Sequence, residues 1–247
     1  MTQNRTLYRG KVTLVGFGPG DPDLLTIKGE RALQEADVVY YDDLTNASYL
    51  NTISAEKIYV GKRSGHHHSE QDEINILMLK SALDGNNVVR LKGGDPMIFA
   101  HGGEEVEFLR SNGIDVDVIP GVSTAFAAVA SLKIPLTKRR VASSVSFVNG
   151  HSSIPITPNT DTIVYYMGAS RLAEISKALI ESGRRPDTPV TLVHNVSLKD
   201  ETIFKTTIKD LPGNYPTPLI VIVGEVCRDE PNSWQDSPHQ RPPKCLL

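Results

Sequence analysis

The chain is poor in cysteine and has no long apolar run. Its two cysteines, Cys227 and Cys245, stand near the end of 247 residues. They fit neither a disulfide framework nor a Cys-x-x-Cys metal site, so we expect a reducing, cytoplasmic setting. No stretch approaches the roughly 18 apolar residues of a membrane span. Residues 1–11 are polar and unlike a signal peptide, so we expect no membrane partner.

Neither sign of charge dominates the composition. Lys and Arg number 26, Asp and Glu number 29, the net charge is −3, and 39% of the residues are hydrophobic. This balance excludes a disordered chain and a polyanion-coating protein. Since no long basic and aromatic pattern appears either, nucleic acid is not an expected partner.

Strand-like and helix-like segments alternate along the chain. The sequence predicts strands at 11–15, 38–41, 58–60, 88–91, 116–119, 144–148, 162–166, 190–194 and 219–223, and helices at 24–36, 70–83, 104–111, 123–132 and 170–182. Such alternation is typical of an α/β fold with a parallel sheet and helical crossovers. Ser69, followed by acidic residues, predicts a capping box at the start of the helix over 70–83.

The dipeptide Pro120-Gly121 divides the chain into two halves of similar size. We expect an N-terminal α/β lobe over residues 11–121, a C-terminal α/β lobe over residues 122–226, and a flexible tail over residues 227–247. Ligand pockets tend to form at junctions of this kind.

Two glycine-rich turns directly follow predicted strands, Gly16-Phe-Gly-Pro-Gly20 and Lys92-Gly-Gly-Asp-Pro96. A dinucleotide fingerprint needs a third glycine at position 21, where Asp21 stands, and neither turn has the ending of a phosphate loop. Glycine at a strand end still lets a ligand approach the backbone closely. Either the turns bind one small molecule or they are purely structural.

A segment without acidic residues opens the second half. Residues 118–160 contain no Asp or Glu, but they contain Lys133, Lys138, Arg139 and Arg140. Arginine binds carboxylates in a bidentate manner, so this segment predicts a receptor for a ligand with several negative charges. The alternative is a solvated basic face.

Charged pairs follow two strands of the first half. Asp42-Asp43 comes after one strand and Lys62-Arg63 after the next. Because the carboxyl ends of parallel strands share an edge, a carboxylate and two cations are expected at one rim, where they can move a proton. The adjacent histidines His66–His68 lack the spacing of a rigid metal site, so no metal is predicted.

Several blocks occur together in the order of a known family. They are Val15-Gly-Phe-Gly-Pro-Gly-Asp-Pro22, Tyr41-Asp42, Val60-Gly-Lys-Arg63, Val89-Arg-Leu-Lys-Gly-Gly-Asp-Pro96, Gly102-Gly-Glu-Glu105, Ile134-Pro-Leu-Thr137 and Tyr166-Met-Gly168. On these blocks, residues 11–226 resemble the uroporphyrinogen-III C-methyltransferases, which are tetrapyrrole methylases that use S-adenosylmethionine.

The resemblance implies two lobes, with a mostly parallel sheet in the first and a mixed sheet in the second, commonly in a homodimer. It implies methyl transfer from two S-adenosylmethionine molecules to C2 and C7 of uroporphyrinogen III, which gives precorrin-2. Asp42 would accept a proton, and Lys62 would donate one or orient the substrate. The implied cofactor contacts are Pro19, Gly93, Gly94, Asp95, Ile98, Ser123, Thr124, Met167 and Val196. The implied contacts to substrate carboxylates are Arg63, His101, Lys138 and Arg139.

Four positions depart from the family pattern. Asp43 stands where Arg or a small residue is usual, His101 replaces Arg, Lys138 replaces His, and Asn149-Gly-His151 replaces Thr-Gly-His. All four belong to the expected tetrapyrrole side, so the methyl donor is better specified than the substrate. The first of them also leaves open which of the adjacent carboxylates, Asp42 or Asp43, faces the pocket.

Three alternatives remain on the sequence alone. They are a later methylase of the cobalamin pathway, a dinucleotide oxidoreductase and a non-catalytic tetrapyrrole carrier. The methylase pattern begins near the first residue, so we expect no fused dehydrogenase and ferrochelatase module. The sequence does not decide whether the product feeds sirohaem, cobalamin or haem d1.

Overall fold

The first half of the chain alternates strands with helices. The computed structural model describes residues 10–43, 45–61 and 67–228. Its strands in this half are β1 Lys11–Gly18, β2 Val38–Tyr41, β3 Glu56–Tyr59, β4 Val88–Gly93 and β5 Asp115–Ile119. Its helices there are α1 Ile27–Gln34, α2 Ala47–Leu50, α3 His67–Leu83 and α4 Gly102–Ser111. The strands form one sheet of order β3-β2-β4-β1-β5, and every pairing is parallel.

Alternate residues of these strands pack on opposite faces of the sheet. On one face, Val38 and Val88 join a core cluster with Met78 of α3 and Leu109 of α4. On the other face, the intervening strand residues join a cluster with Leu33 of α1. Both faces are covered, which explains why the central strands consist of nearly continuous apolar runs.

The second half builds a separate sheet. Its elements are α5 Thr124–Leu132, β6 Val145–Asn149, β7 Thr162–Tyr166, α6 Leu172–Glu181, β8 Pro189–His194, β9 Thr202–Thr207 and β10 Leu219–Val223. The sheet order is β6-β7-β10-β8-β9, with β6 and β7 parallel and the remaining pairings antiparallel. The mixed sheet confirms the expected α/β fold class. Two compact units result, one ending at Thr124 and the next beginning at Ala125.

Two predicted helix starts differ from the structure by three residues, more than the other helix starts do. Pro22–Leu24 forms a separate 3-10 turn, and α1 begins only after Thr26, whose hydroxyl accepts a hydrogen bond from the amide of Gly29 at 3.1 Å. A capping threonine fixes the start more strongly than the apolar periodicity does. Ser69 lies inside α3, which begins at His67, so the predicted capping box is wrong as well.

The second sheet contains one strand that the sequence did not predict. β9 is an edge strand paired only with β8, and most of its residues are half-buried or exposed. An edge strand tolerates polar residues such as Lys205, which hides the alternation on which strand prediction depends.

The predicted tail begins too early. Cys227 closes a 3-10 turn and is buried, with its thiol 3.5 Å from the carbonyl of Ile222. The remainder of the predicted tail, residues 229–247, lies outside the described residues. Among the helices in the described ranges, none is long and apolar enough to cross a membrane.

A carboxylate ties together the starts of β6 and β7. Asp161 Oδ2 accepts hydrogen bonds from the backbone amides of Ser143 and Ser144 at 2.8 and 3.0 Å, and from both hydroxyls. The Ser143 amide is the largest cause that lowers the pKa of Asp161, from 3.8 to about 2. These bonds stabilise the folded state as long as the carboxylate is ionised.

We expect Asp161→Asn to lower the melting temperature at pH 7. The pKa of Asp161 is lower in the folded state than in the unfolded state. The higher stability of the wild type is therefore fully present above about pH 4 and is lost as the pH falls through about 2. Thermal unfolding from pH 7 to pH 2 measures this. Asp117→Asn, on the exposed side of β5, is the control. If the difference in melting temperature between the wild type and Asp161→Asn does not become smaller at acidic pH, the Asp161 carboxylate is not the stabilising group.

Candidate functional site

Three loops with glycine meet at the carboxyl edge of the first sheet. The Gly18 amide donates to the carbonyl of Gly94 at 3.1 Å, and the Gly94 amide donates to the carbonyl of Gly18 at 2.7 Å. The Gly121 amide donates to Asp95 Oδ2 at 3.1 Å. These loops follow β1, β4 and β5, which are neighbours in the sheet. The two glycine turns singled out in the sequence are therefore one structural feature.

Close backbone contacts explain the glycines in this feature. A Cβ on Gly16 would lie 2.5 Å from the backbone nitrogen of Gly121, and one on Gly121 would lie 2.2 Å from the carbonyl oxygen of Gly94. Gly94 itself has a φ of +66°, which favours glycine. The loops can pack this tightly only because these side chains are absent.

Asp95 holds the same feature together. Its Oδ1 accepts from the Met97 amide at 2.8 Å and its Oδ2 from the Gly121 amide. The structure thus shows this carboxylate as the cap of the turn. Nearby, Ile98 is exposed and Ser123 is buried.

Two expected cofactor residues lie in strained loops of the second unit. Met167, directly after β7, has a φ of 56° and is exposed. Val196 is buried, and its neighbours Asn195 and Ser197 have φ values of 52° and 65°. Left-handed conformations in such residues cluster at ligand sites. Because the Val196 side chain is buried, any ligand contact from Val196 would come from its backbone.

A chain of four alternating charges lies beside the glycine loops. Asp42 Oδ2 is 2.9 Å from Arg90 Nη2, and Arg90 Nε is 3.5 Å from Glu105 Oε1. The same Glu105 oxygen is 2.8 Å from Lys92 Nζ. Arg90, Glu105 and Lys92 are buried, whereas the Asp42 side chain is 24% exposed. The network thus reaches the surface at Asp42.

Strand alternation explains why these charges meet. Arg90 and Lys92 have the same parity on β4 as Val88, and Asp42 has the same parity as Val38 of the neighbouring β2. All therefore point to the face covered by α3 and α4. Glu105 of α4 meets them there, and Gln71 Nε2 of α3 donates to its Oε1 at 3.1 Å.

Burial lowers the pKa of the Lys92 ammonium, and the nearby Arg90 charge lowers it further, while Glu105 acts in the opposite direction. Glu105 Oε2 is buried and accepts a hydrogen bond from none of the described residues. A buried carboxylate oxygen without a donor is costly, so the charges around Glu105 hold it against a substantial desolvation penalty.

The adjacent carboxylates Asp42 and Asp43 take different positions. Asp42 is bound to the buried guanidinium of Arg90, whereas Asp43 is exposed and accepts a hydrogen bond from the Tyr59 hydroxyl at 2.5 Å. That bond is the largest cause of the raised pKa of Tyr59. Only Asp42 belongs to the charge network.

The expected substrate contacts are exposed where they are described. Lys138 and Arg139 lie on an exposed turn that is closed by backbone hydrogen bonds between Lys138 and Ala142. His101 precedes α4 with a φ of 57°, and its Nδ1 is 3.3 Å from Glu104 Oε1. Lys62 and Arg63 lie outside the described residues. No cluster of metal-ligating side chains occurs in the described ranges.

Comparison with known proteins places these features in a family. Residues 11–212 match the family model of the Tetrapyrrole (Corrin/Porphyrin) Methylases. The chain belongs to the tetrapyrrole methylases. This membership confirms the resemblance stated from the sequence and argues against a dinucleotide oxidoreductase.

Individual relatives agree with that assignment. The chain is 43% identical to a uroporphyrinogen-III C-methyltransferase of Methanocaldococcus jannaschii, over 88% of this chain and 96% of that one. It is 42% identical to a siroheme synthase of Psychrobacter sp. (strain PRwf-1), over 89% of this chain but 48% of that one. The chain thus spans about half the length of the siroheme synthases it matches.

A solved structure shares the fold. The uroporphyrin-III C-methyltransferase of Thermus thermophilus complexed with S-adenyl homocysteine aligns with a TM-score of 0.77 and 39% identity. The alignment covers 88% of this chain and 98% of that one. Both the parallel sheet and the mixed sheet therefore belong to a known tetrapyrrole methylase architecture.

Sequence reasoning missed the three buried members of the network, Arg90, Lys92 and Glu105. Arg90 and Lys92 are two residues apart on a strand that is otherwise apolar. Residues with this spacing point to the same face of a sheet. This spacing was a usable signal for a buried charge site. Glu105 gave no comparable signal, because its inward direction depends on how α4 packs.

We expect Gly121→Ala to destabilise the protein by about 1–3 kcal/mol, since the new methyl group overlaps the backbone of Gly94. Gly103→Ala is the matched control, because a Cβ there meets nothing within 4 Å and alanine favours the helix. Urea unfolding of the full chain measures both. Equal midpoints for Gly121→Ala and the wild type contradict the packing argument.

Proposed function

We propose that the chain transfers methyl groups from two S-adenosylmethionine molecules to C2 and C7 of uroporphyrinogen III, forming precorrin-2. The observation that carries this is the 43% identity to the M. jannaschii uroporphyrinogen-III C-methyltransferase across 96% of its length. The charge network that ends at Asp42 supplies the chemistry that such a reaction needs.

The glycine feature fits a methyl donor. Gly93 and Gly94 have no side chains that would keep a ligand from their backbone, and Pro19 and Ile98 lie on the same two loops. Ser123 and Thr124 follow the third loop, and a Cβ on Gly94 would be 3.6 Å from Thr124 Oγ1. We assign the donor to these loops; the family resemblance implies Met167 and Val196 as further contacts. S-adenosylmethionine supplies an electrophilic methyl group when it is bound.

The reaction needs a proton acceptor rather than a protein nucleophile. An electron-rich pyrrole carbon forms the new bond to the methyl group while the bond from sulfur to methyl breaks. The methylated ring then carries a positive charge, which is removed when a proton leaves. Asp42, a carboxylate held at the surface end of a buried ion network, is the group that we assign to accept this proton.

The substrate carries eight carboxylates, and exposed cations can bind them. Lys138 and Arg139 on their exposed turn, with His101, Lys62 and Arg63, are the proposed partners. Arginine offers the bidentate geometry that suits a carboxylate. We also propose a cytoplasmic homodimer that works without metal, membrane or nucleic acid. The family resemblance supports the homodimer, and the composition and residue spacing of the sequence support the other points.

The test is conversion of enzymatically generated uroporphyrinogen III in the presence of labelled S-adenosylmethionine. We expect two labelled methyl groups per product molecule with the wild type. Methylation of a later tetrapyrrole but not of uroporphyrinogen III contradicts the substrate assignment. A protein that binds tetrapyrroles without any methyl transfer is a carrier, which contradicts the proposal entirely.

We expect Asp42→Asn to lower kcat by a factor of about 10² to 10⁴, because a carboxamide cannot accept the proton. Asp43→Asn is the matched control. It changes the neighbouring, exposed carboxylate in the same way and should leave kcat within about threefold of the wild type. Steady-state kinetics of both variants decide the assignment, and equal losses at the two positions contradict it.

A further inference from the structure

The guanidinium of Arg90 is fixed from several directions. Its Nη1 donates to the carbonyl of Leu91 at 2.8 Å and to that of Tyr40 at 3.4 Å. Its Nε faces Glu105 at 3.5 Å, and its Nη2 donates to Asp42 at 2.9 Å. A planar group with bonds on three sides has little freedom to rotate. Whatever Arg90 holds is therefore held in one orientation.

Exposure changes sharply across this ion pair. The side chain of Arg90 is 5% exposed and that of Asp42 is 24% exposed. The pair thus links a rigid interior group to a carboxylate that solvent and ligands can reach. Asp43, one residue further along, has an exposed tyrosine hydroxyl as its partner instead.

The formal charges of the network balance one another. Asp42 and Glu105 each carry one negative charge, and Arg90 and Lys92 each carry one positive charge, so the network is neutral. Removing the Arg90 charge alone leaves two carboxylates facing one ammonium group. Removing the charges of both Arg90 and Glu105 leaves a neutral pair again, which provides a variant that avoids an uncompensated buried charge.

We infer that Arg90 is a positioning residue that holds the Asp42 carboxylate toward the reacting tetrapyrrole carbon, with Glu105 and Lys92 fixing Arg90 in turn. This inference rests on the proposed function. Arg90 is buried behind Asp42, so it acts through Asp42 rather than on the substrate. Proton transfer depends steeply on the placement of the base, so loosening Asp42 lowers turnover without weakening binding.

A double-mutant cycle tests the inference. We expect Arg90→Gln to lower kcat about 10- to 100-fold while KM for both substrates stays within about threefold. In an Asp42→Asn background, Arg90→Gln should change kcat by less than about threefold, because the group that it positions no longer accepts a proton. Calorimetric binding of S-adenosylhomocysteine should be the same in all four proteins.

Two further variants separate positioning from folding. If Arg90→Gln alone is unstable, the double variant Arg90→Gln with Glu105→Gln takes its place, because it keeps the network neutral. It should show the same 10- to 100-fold loss in kcat. Arg184→Gln is the control, since that arginine also binds backbone carbonyls, at Pro158 and Thr160, but belongs to the other unit. It should lower the melting temperature and leave kcat unchanged.

Several outcomes overturn the inference. One is a raised KM with normal kcat in Arg90→Gln, which makes Arg90 a binding residue. Another is a 10-fold or greater loss in kcat when Arg90→Gln is added to Asp42→Asn, which shows that Arg90 acts independently of Asp42. Wild-type conversion of uroporphyrinogen III decides the proposed function by itself. If another tetrapyrrole is the substrate, the changes in kcat and KM among the same four proteins, measured with that tetrapyrrole, decide the role of Arg90.

Discussion

The buried ion pair between Arg90 and Glu105 is the constraint on which the candidate site depends. A buried charge needs opposite charge nearby, and each partner brings a different element to the same place, β4 for the arginine and α4 for the carboxylate. Lys92 joins from the same strand and Asp42 from its neighbour. These ion pairs connect β4, the end of β2 and α4 to one another at the carboxyl edge of the sheet.

The glycine feature supplies a second, purely steric constraint on the same edge. Gly16 in β1 and Gly94 and Gly121 in the loops after β4 and β5 make close backbone contacts that larger residues would prevent. Asp95 then bonds two of those loops through its carboxylate. A donor site built from backbone groups needs this rigidity, because a backbone atom can be positioned only by the packing of its own loop. The neutral glycine loops and the charge network thus lie side by side at this edge, and the proposed function assigns a separate task to each.

Much of the first sheet was predictable, because its strands are short β-branched runs buried on both faces. The two glycine turns were recognisable from the sequence, since motif spacing can be read without knowledge of packing, whereas their mutual contact could not be. β9 was not, because an edge strand need not alternate. The start of α1 was also missed, since the hydroxyl of Thr26 overrides the apolar pattern of the residues before it. Local hydrogen bonding rather than hydrophobicity decided that boundary.

The sequence by itself determined the family, the α/β alternation and the identity of the chemical groups, because these follow from residue types at fixed spacing. Only the tertiary structure separated Asp42 from Asp43, which directly follow β2, since it gives one the buried Arg90 as its partner and the other the exposed Tyr59. It alone also brought Glu105 to Arg90. That contact joins a helix to a strand, and spacing along the chain does not specify which face of a helix meets which end of a sheet.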